Sequence, residues 1–337
     1  MVALRFLIEN RNTVCFTFLV ALVLSLYLLV YLFSHTPRPP YPEELRYTAI
    51  DESGVEITRA LPNVGEAQKM DDDEEIILSV VIPSYNETGR ILLMLTDAIN
   101  FLKEKYGSKW EIVIVDDGST DNTTQYCLKI CREEFKLDYR QFRIIKFSQN
   151  RGKGGAVRQG FLHIRGKYGL FADADGASNF SDVAKLIEAV QTCEVSSRGV
   201  EAVKPVVAIG SRAHMVNTEA VIKRSMIRNC LMYGFHTLVF IFGIRTIKDT
   251  QCGFKLFNKP AILKIFPYLH TEGWIFDVEI LILAIRKRIQ IKEIPISWHE
   301  VDGSKMALAI DSIKMARDLV IIRMAYLLGI YRDDRKC

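Results

Sequence analysis

From residue 76 onward the apolar positions alternate between two rhythms. Ile76–Ile82 is a short run rich in β-branched residues, stopped by Pro83, and reads as a strand. Asn86 can cap the helix that follows, whose apolar stripe runs Ile91, Leu95, Ala98 and Leu102 toward Tyr106. Glu111–Val115 is the next strand, and Thr120 or Asp121 opens a helix toward Glu134. Phe142–Phe147, Tyr168–Ala172 and Val206–Ile209 continue the strands, with helices near Gly155–Ile164 and Asp182–Thr192 between them. This spacing predicts an α/β fold, a mostly parallel sheet flanked by helices. In such sheets ligands bind beyond the carboxyl ends of the strands, and that is where the polar clusters of this chain fall.

The flanks follow other rules. Val14–Phe33 carries no charge over the length that crosses a bilayer, with Tyr27 and Tyr31 toward its end, and no small-residue cleavage site follows. It is expected to be a retained membrane anchor after a tail, 1–13. Residues 34–75, Pro-rich at first and acidic at the end, read as a linker with one hairpin around Ser53-Gly54. The catalytic domain is expected over 76–305. Cys230–Ile244 is strongly apolar but short for a span, so it is either a core helix or one lying in the membrane interface. A C-terminal amphipathic helix, 306–331, aligns Ala309, Ile310, Ile313, Ala316, Val320, Met324, Leu327 and Tyr331 on one stripe, facing either the sheet or the membrane surface.

Composition narrows the class. Hydrophobic residues are 49% and charged residues 25%, enough to bury a core, and 44 Lys+Arg against 40 Asp+Glu leaves only +4, which gives no nucleic-acid footprint. Seven cysteines at irregular spacings make neither a disulfide framework nor a zinc site.

The chemistry sits in four clusters. Pro83-Ser84-Tyr85-Asn86-Glu87 follows the first strand and Asp116-Asp117-Gly118-Ser119 the second. Asn150-Arg151-Gly152-Lys153-Gly154-Gly155 joins a strand to a helix, and its backbone N–H groups, Arg151 and Lys153 suit a diphosphate. Asp173-Ala174-Asp175 places two carboxylates where both can reach one hard divalent cation. The glycine run matches neither the phosphate-loop nor the dinucleotide fingerprint, and there is no His-Glu-x-x-His or nucleophile elbow. Together the clusters describe a site for a nucleoside diphosphate and a metal.

These stretches resemble the inverting family 2 glycosyltransferases with the Rossmann-like GT-A fold. Asn150–Gly160, Gly210-Ser211-Arg212, Asp249–Phe257 and Ile294-Pro295-Ile296-Ser297-Trp298 narrow the likeness to the synthases that load dolichyl phosphate with a sugar, the glucose-loading ones above all. The resemblance implies UDP-glucose as donor, dolichyl phosphate as acceptor, an inverted β-linked product, Mg²⁺ or Mn²⁺, and the endoplasmic reticulum membrane. It assigns Pro83, Tyr85 and Glu87 to the nucleotide pocket, Asp116 and Asp117 to uracil and ribose, Lys153 to the diphosphate, and Asp173 and Asp175 to the metal. Asp277 and Glu279 become candidates for contacts to the donor sugar. Mannose from GDP-mannose, or a non-catalytic nucleotide-sugar binder on a membrane anchor, are the competing readings.

A phosphate monoester is mostly dianionic at pH 7, so an acceptor of this kind needs no general base. It needs cations, and Arg212, Arg224 and Arg228 are the candidates, since an arginine fork matches two phosphate oxygens. Three glycosylation sequons, at Asn86, Asn122 and Asn179, fall in the loops of the site. Glycans there would block the donor, so the domain is expected to face the cytosol.

Overall fold

The computed structural model describes residues 11–62, 64, 75–195, 203–215, 234, 237–242, 244–301 and 308–333. Helix α1 (Arg11–Phe33) comes first, followed by β1 (Arg46–Ile50) and β2 (Glu56–Ala60). Then come β3 (Leu78–Ser84), α2 (Ile91–Tyr106), β4 (Trp110–Asp116), α3 (Thr123–Ile130), β5 (Phe142–Lys146), α4 (Lys153–Phe161), β6 (Tyr168–Ala172), α5 (Val183–Val195) and β7 (Val206–Ser211). The chain closes with β8 (Phe254–Asn258), α6 (Lys259–Ile265), α7 (Phe276–Arg286), β9 (Gln290–Pro295) and α8 (Leu308–Leu327).

One sheet takes every named strand, in the order β2-β1-β5-β4-β3-β6-β8-β7-β9. Its centre, β5-β4-β3-β6, is parallel. The expected mostly parallel sheet is in fact mixed, because β8 runs antiparallel between β6 and β7. Residues 34–75, expected as a linker with one hairpin around Ser53-Gly54, do carry that hairpin: β1 and β2 pair antiparallel across a turn where Asp51 Oδ1 accepts from Ser53 N and Val55 N. Strand β1 then docks on β5 through Thr48 and Ile144.

The central strands are apolar on both faces because both are covered. Val81, Val113, Val115 and Ile145 point to one side, against Val157 and Phe161 of α4. Val80, Ile82, Ile112 and Ile114 alternate to the other, against Leu95 and Ile99 of α2 and Leu186 of α5. Register does the rest. Ser84 pairs with Asp116, Asp116 with Lys146, and Val81 with Phe171, so the carboxyl ends of four adjacent strands open on one rim.

Asn86 does not cap α2. It sits at φ 54°, in the left-handed region, with its Oδ1 accepting from Thr120 N, and the helix begins after Arg90. Helix α3 likewise starts later than expected, after left-handed Asn122, while Asp121 Oδ1 accepts from Thr123 N.

Helix α1 is long and apolar enough to cross a membrane, and almost none of its side-chain surface is buried. Helix α8 packs against it. His35 N donates to Tyr331 Oη at 2.6 Å, and His35 Nε2 lies 3.3 Å from Asp318. Met315, Leu319, Ile322 and Ala325 of α8 are buried, whereas Ile310, Ile313, Val320 and Leu327 from the expected stripe stand exposed. Tyr331 at the end of that stripe is buried. The stripe therefore does not pack on the sheet. Arg224 and Arg228, with residues 230–233, 235, 236 and 243 of Cys230–Ile244, lie outside the described residues; of the rest, Phe240 and Ile241 are exposed while Val239 and Ile244 are buried.

Candidate active site

Each polar cluster is fastened to the next by its own backbone. Asp116, at the end of β4, accepts from Ser119 N at 2.8 Å and from the Thr124 hydroxyl, which closes the loop into α3. Asp117 accepts from Arg151 N at 2.6 Å and Gly152 N at 2.9 Å, so it clips the glycine loop to the β4 rim. Burial pushes its carboxyl up to about 7, against those hydrogen bonds and the Arg151 charge. Gly152 sits at φ 94°, and a Cβ there would lie 2.5 Å from the Glu272 carbonyl oxygen, so only glycine fits the turn.

The same turn starts α4 at Lys153. Its ammonium lies 2.7 Å from Asp173 Oδ1. Burial lowers the Lys153 pKa, but Asp173, Asp277 and Asp175 outweigh it and the net shift is upward. Asp277 is buried on the first turn of α7 and paired with Lys255 of β8 at 2.5 Å. Its carboxyl is pushed up by burial, opposed by Lys255 and Lys153. Lys153, Asp173, Asp277 and Lys255 thus form one alternating charge chain. The spacing of 255 and 277 gave no hint of it, although Lys255 stands inside the Asp249–Phe257 motif.

The β3 cluster contributes differently. Pro83 is buried at the strand's end, and Tyr85 is exposed at the rim. Glu87 is turned to Arg90, which holds it in a two-point contact at 2.8 and 2.5 Å. Arg90 also feels the charges of Asp175 and Asp173, and with them and Glu87 its pKa is raised although burial opposes the shift. Sequence reasoning passed over Arg90, whose only signal is its place just before an apolar helix.

A metal fits here. Among the described residues, the Asp175 carboxylate accepts from Ala177 N, and Asp173 Oδ1 is paired with the Lys153 ammonium but with no well-directed donor. Across from it, Gly253 lacks a side chain where a Cβ would lie 2.0 Å from Asp173 Oδ2. Among the described residues no third His, Cys, Asp or Glu completes a cage. Two carboxylates with open flanks are the donor set of a hard cation that takes its remaining oxygens from substrate phosphates and water. Beside them opens a cavity of about 340 Å³, lined among others by Met94, Asp97, Asp173, Phe180, Phe254 and His299.

Two expectations change. Arg151 is not available to a diphosphate: its guanidinium bonds Glu272 and the Arg38 carbonyl, and the residue is 8% exposed. Glu279 is not a sugar contact. Its two oxygens accept from His270 N, Thr271 N, the Thr271 hydroxyl and Tyr326 Oη, which tie α7 to the preceding loop and to α8. Burial pushes its carboxyl up, but the His270 ring at 3.1 Å and the Thr271 hydrogen bonds hold it below the usual range.

Arg212, just past β7, is gripped by Asp249 through its backbone N, Nε and Nη2, at 2.9, 2.7 and 2.9 Å. The Trp298 ring centre lies 5.4 Å from its guanidinium carbon. Asp249 is itself fixed by Glu293, which accepts from its backbone N. The guanidinium stays 32% exposed, its plane set and one edge taken.

Residues 79–265 match the family model "Glycosyl transferase family 2". The chain is 87% identical over 337 residues, the whole of both chains, to the dolichyl-phosphate beta-glucosyltransferase of Saccharomyces cerevisiae. It is 42% identical over 318 residues to that of Dictyostelium discoideum, covering 93% of this chain and 92% of the other. The human enzyme is 41% identical over 267 residues, covering 77% and 78%. Among solved structures, the glucosyl-3-phosphoglycerate synthase of Mycobacterium tuberculosis in complex with Mn²⁺ and UDP-glucose aligns at a TM-score of 0.47 and 17% identity, over 81% of this chain and 84% of that one. Strand-end clusters, glycine loop and carboxylate pair thus belong to an enzyme, and this chain is a member of glycosyl transferase family 2, in its dolichyl-phosphate β-glucosyltransferase branch.

Proposed function

We propose that the donor is UDP-glucose, bound across the rim of β3, β4 and β6, and that glucose passes with inversion to dolichyl phosphate at the endoplasmic reticulum membrane. The observation that carries this reading is the clip from Asp117 through Gly152 to Lys153 and Asp173, which brings together the residues read as nucleoside, diphosphate and metal contacts. Tyr85, Asp116 and Asp117 flank the nucleoside, with Pro83 and Glu87 shaping its floor. Lys153, beside Asp173, would meet the diphosphate. Asp173 and Asp175 would hold Mg²⁺ or Mn²⁺, which when bound stabilises charge on the departing UDP.

The acceptor's phosphate is its own nucleophile, so the protein's task is to hold it in line behind the anomeric carbon. Arg212 does this with the guanidinium edge that Asp249 leaves open; Arg224 and Arg228 remain expected helpers. Asp277, neutralised by Lys255, keeps Lys153 in place and lies within reach of a donor hydroxyl.

Helix α1 anchors the protein as a single span, and the exposed stripe of α8 beside it lies along the membrane surface. Buried free thiols at Cys127, Cys131, Cys193 and Cys252 suit a cytosolic, reducing setting. Two experiments test the proposal. Purified protein with dolichyl phosphate and a panel of labelled nucleotide sugars should turn over UDP-glucose far faster than GDP-mannose, and lose activity in excess chelator. Protease added to sealed microsomes should digest everything after Phe33; survival of the domain until detergent is added would reverse its sidedness.

A further inference from the structure

Between the end of α1 and the start of β1 the chain runs His-Thr-Pro-Arg-Pro-Pro-Tyr-Pro-Glu-Glu-Leu, residues 35–45. Prolines 37, 39 and 40 fix φ and keep the first part of the segment extended and stiff, and Pro42 opens a 3₁₀ turn over Pro42–Leu45. It is not a free tether. Arg38 grips both oxygens of Glu44, at 2.8 and 2.5 Å, and its guanidinium lies 4.1 Å from the Tyr41 ring centre. Glu44 is fully buried and also accepts from Tyr41 N at 3.0 Å.

The buried face of this strap meets the glycine loop. Arg151 Nη2 donates to the Arg38 carbonyl at 2.8 Å, and Nη1 lies 3.8 Å from Glu44 Oε2. That Nη1 makes no hydrogen bond of its own, so Glu44 is the counter-charge it faces. On its other side Arg151 bonds Glu272, whose carbonyl accepts from Gly155 N. Arg38, Glu44, Arg151 and Glu272 alternate in sign and cancel. The backbone of Arg151 and Gly152 is what Asp117 clips, and Lys153 comes next.

We infer that Glu44 is a positioning residue of the donor site: through Arg151 it sets the Asp117–Gly152–Lys153 loop, so the strap leaving the membrane helix is a structural part of the nucleotide pocket. The inference rests on the donor reading above for its kinetic arm and on geometry alone for its exchange arm. Replacing Glu44 by Gln removes the counter-charge while keeping size and one acceptor. The loop then loses its fixed register, and misplacement on the order of 1 Å at such a loop costs up to about 100-fold.

The test uses full-length protein in detergent. Glu44→Gln should weaken UDP binding about tenfold and raise the KM for UDP-glucose in step, with the KM for dolichyl phosphate within about twofold of wild type. Amide hydrogen exchange over 151–155 should quicken, while that of α5 stays unchanged. Arg38→Lys keeps the charge but loses the fork; it should show the same signature at about threefold and serves if Glu44→Gln does not fold. Unchanged exchange over 151–155 in whichever variant folds, or donor and acceptor KM rising together, overturns the inference. Failure of wild-type protein to bind UDP would instead overturn the donor assignment and leave the exchange result to decide the strap.

Discussion

The two ends of the parallel strands at the centre of the sheet carry acidic residues of opposite fate. At the amino end, Glu111 is fully buried and all its bonding capacity is met from inside: Ser79 Oγ at 2.6 Å, Arg165 N at 2.7 Å, Arg143 Nη2 at 2.7 Å and Arg165 Nε at 2.8 Å. At the carboxyl rim, Asp173 and Lys153 face each other still 31% and 21% exposed, with bonding capacity to spare. One cluster is closed and holds strands together. The other is open and waits for partners that the chain does not contain. The contrast separates charges that make the fold from charges free to bind a ligand, within about one strand length.

Four experiments sharpen or break that division. The largest effect belongs to the open end. Asp175→Asn should lower turnover by roughly 1,000-fold, because charge stabilisation at the leaving group is worth several kcal/mol. Thermal unfolding should barely move; a large drop in melting temperature would mean that the open cluster is structural after all. At the closed end, Glu111→Gln leaves Arg143 buried without its counter-ion and should destabilise by about 3–5 kcal/mol, read by denaturant titration in detergent. Specific activity per folded molecule should stay near wild type.

Gly253→Ala comes third. The new Cβ would push the Asp173 carboxylate aside, costing about tenfold in turnover at near-normal stability, with the metal concentration for half activity rising in parallel. The smallest effect at working pH is acid sensitivity. Burial alone would raise the Glu111 carboxyl, but Arg143 and Arg165 hold it at about 2. A depressed carboxyl contributes stability that is complete above its unfolded pKa near 4.5 and is lost as pH falls toward 2. Wild type should therefore lose stability more steeply than Glu111→Gln across that window; parallel curves would show that another group governs acid unfolding.

Much of the rim was legible from the sequence for a simple reason. Apolar runs ending at Pro83, Asp116 and Asp173, the first two rich in β-branched residues, mark both the strand and its carboxyl end, so the clusters could be placed before any contact was known. What stayed hidden depends on partners far along the chain. Glu279 looks like a free acid on a helix until Tyr326, 47 residues later, closes on it. Arg151 looks like a phosphate ligand until Glu272 and the Arg38 carbonyl claim it. The β1–β2 hairpin carries few apolar residues, and only its docking on β5 shows that it belongs to the sheet. Asn86 had the right chemistry for a helix cap, and the hydrogen bond to Thr120 won instead. The face of α8 that is covered, Met315, Leu319, Ile322 and Ala325, is not the stripe that periodicity picked out, because periodicity does not say which neighbour covers an apolar face.

A sheet that is not closed into a barrel has two rims along its length, and both would matter to a protein held at a membrane by a helix such as α1. Strand β2 ends one side and shows Glu56 and Arg59 to solvent; β9 ends the other, carrying Lys292 and Glu293 before Pro295. Another copy adding a strand to either side would have to lay its backbone against charged side chains, and Pro295 offers it no N–H. Molecules confined to a plane collide far more often than molecules in free solution, and always in similar orientations. These polar, proline-ended borders keep such encounters from zipping neighbouring sheets together.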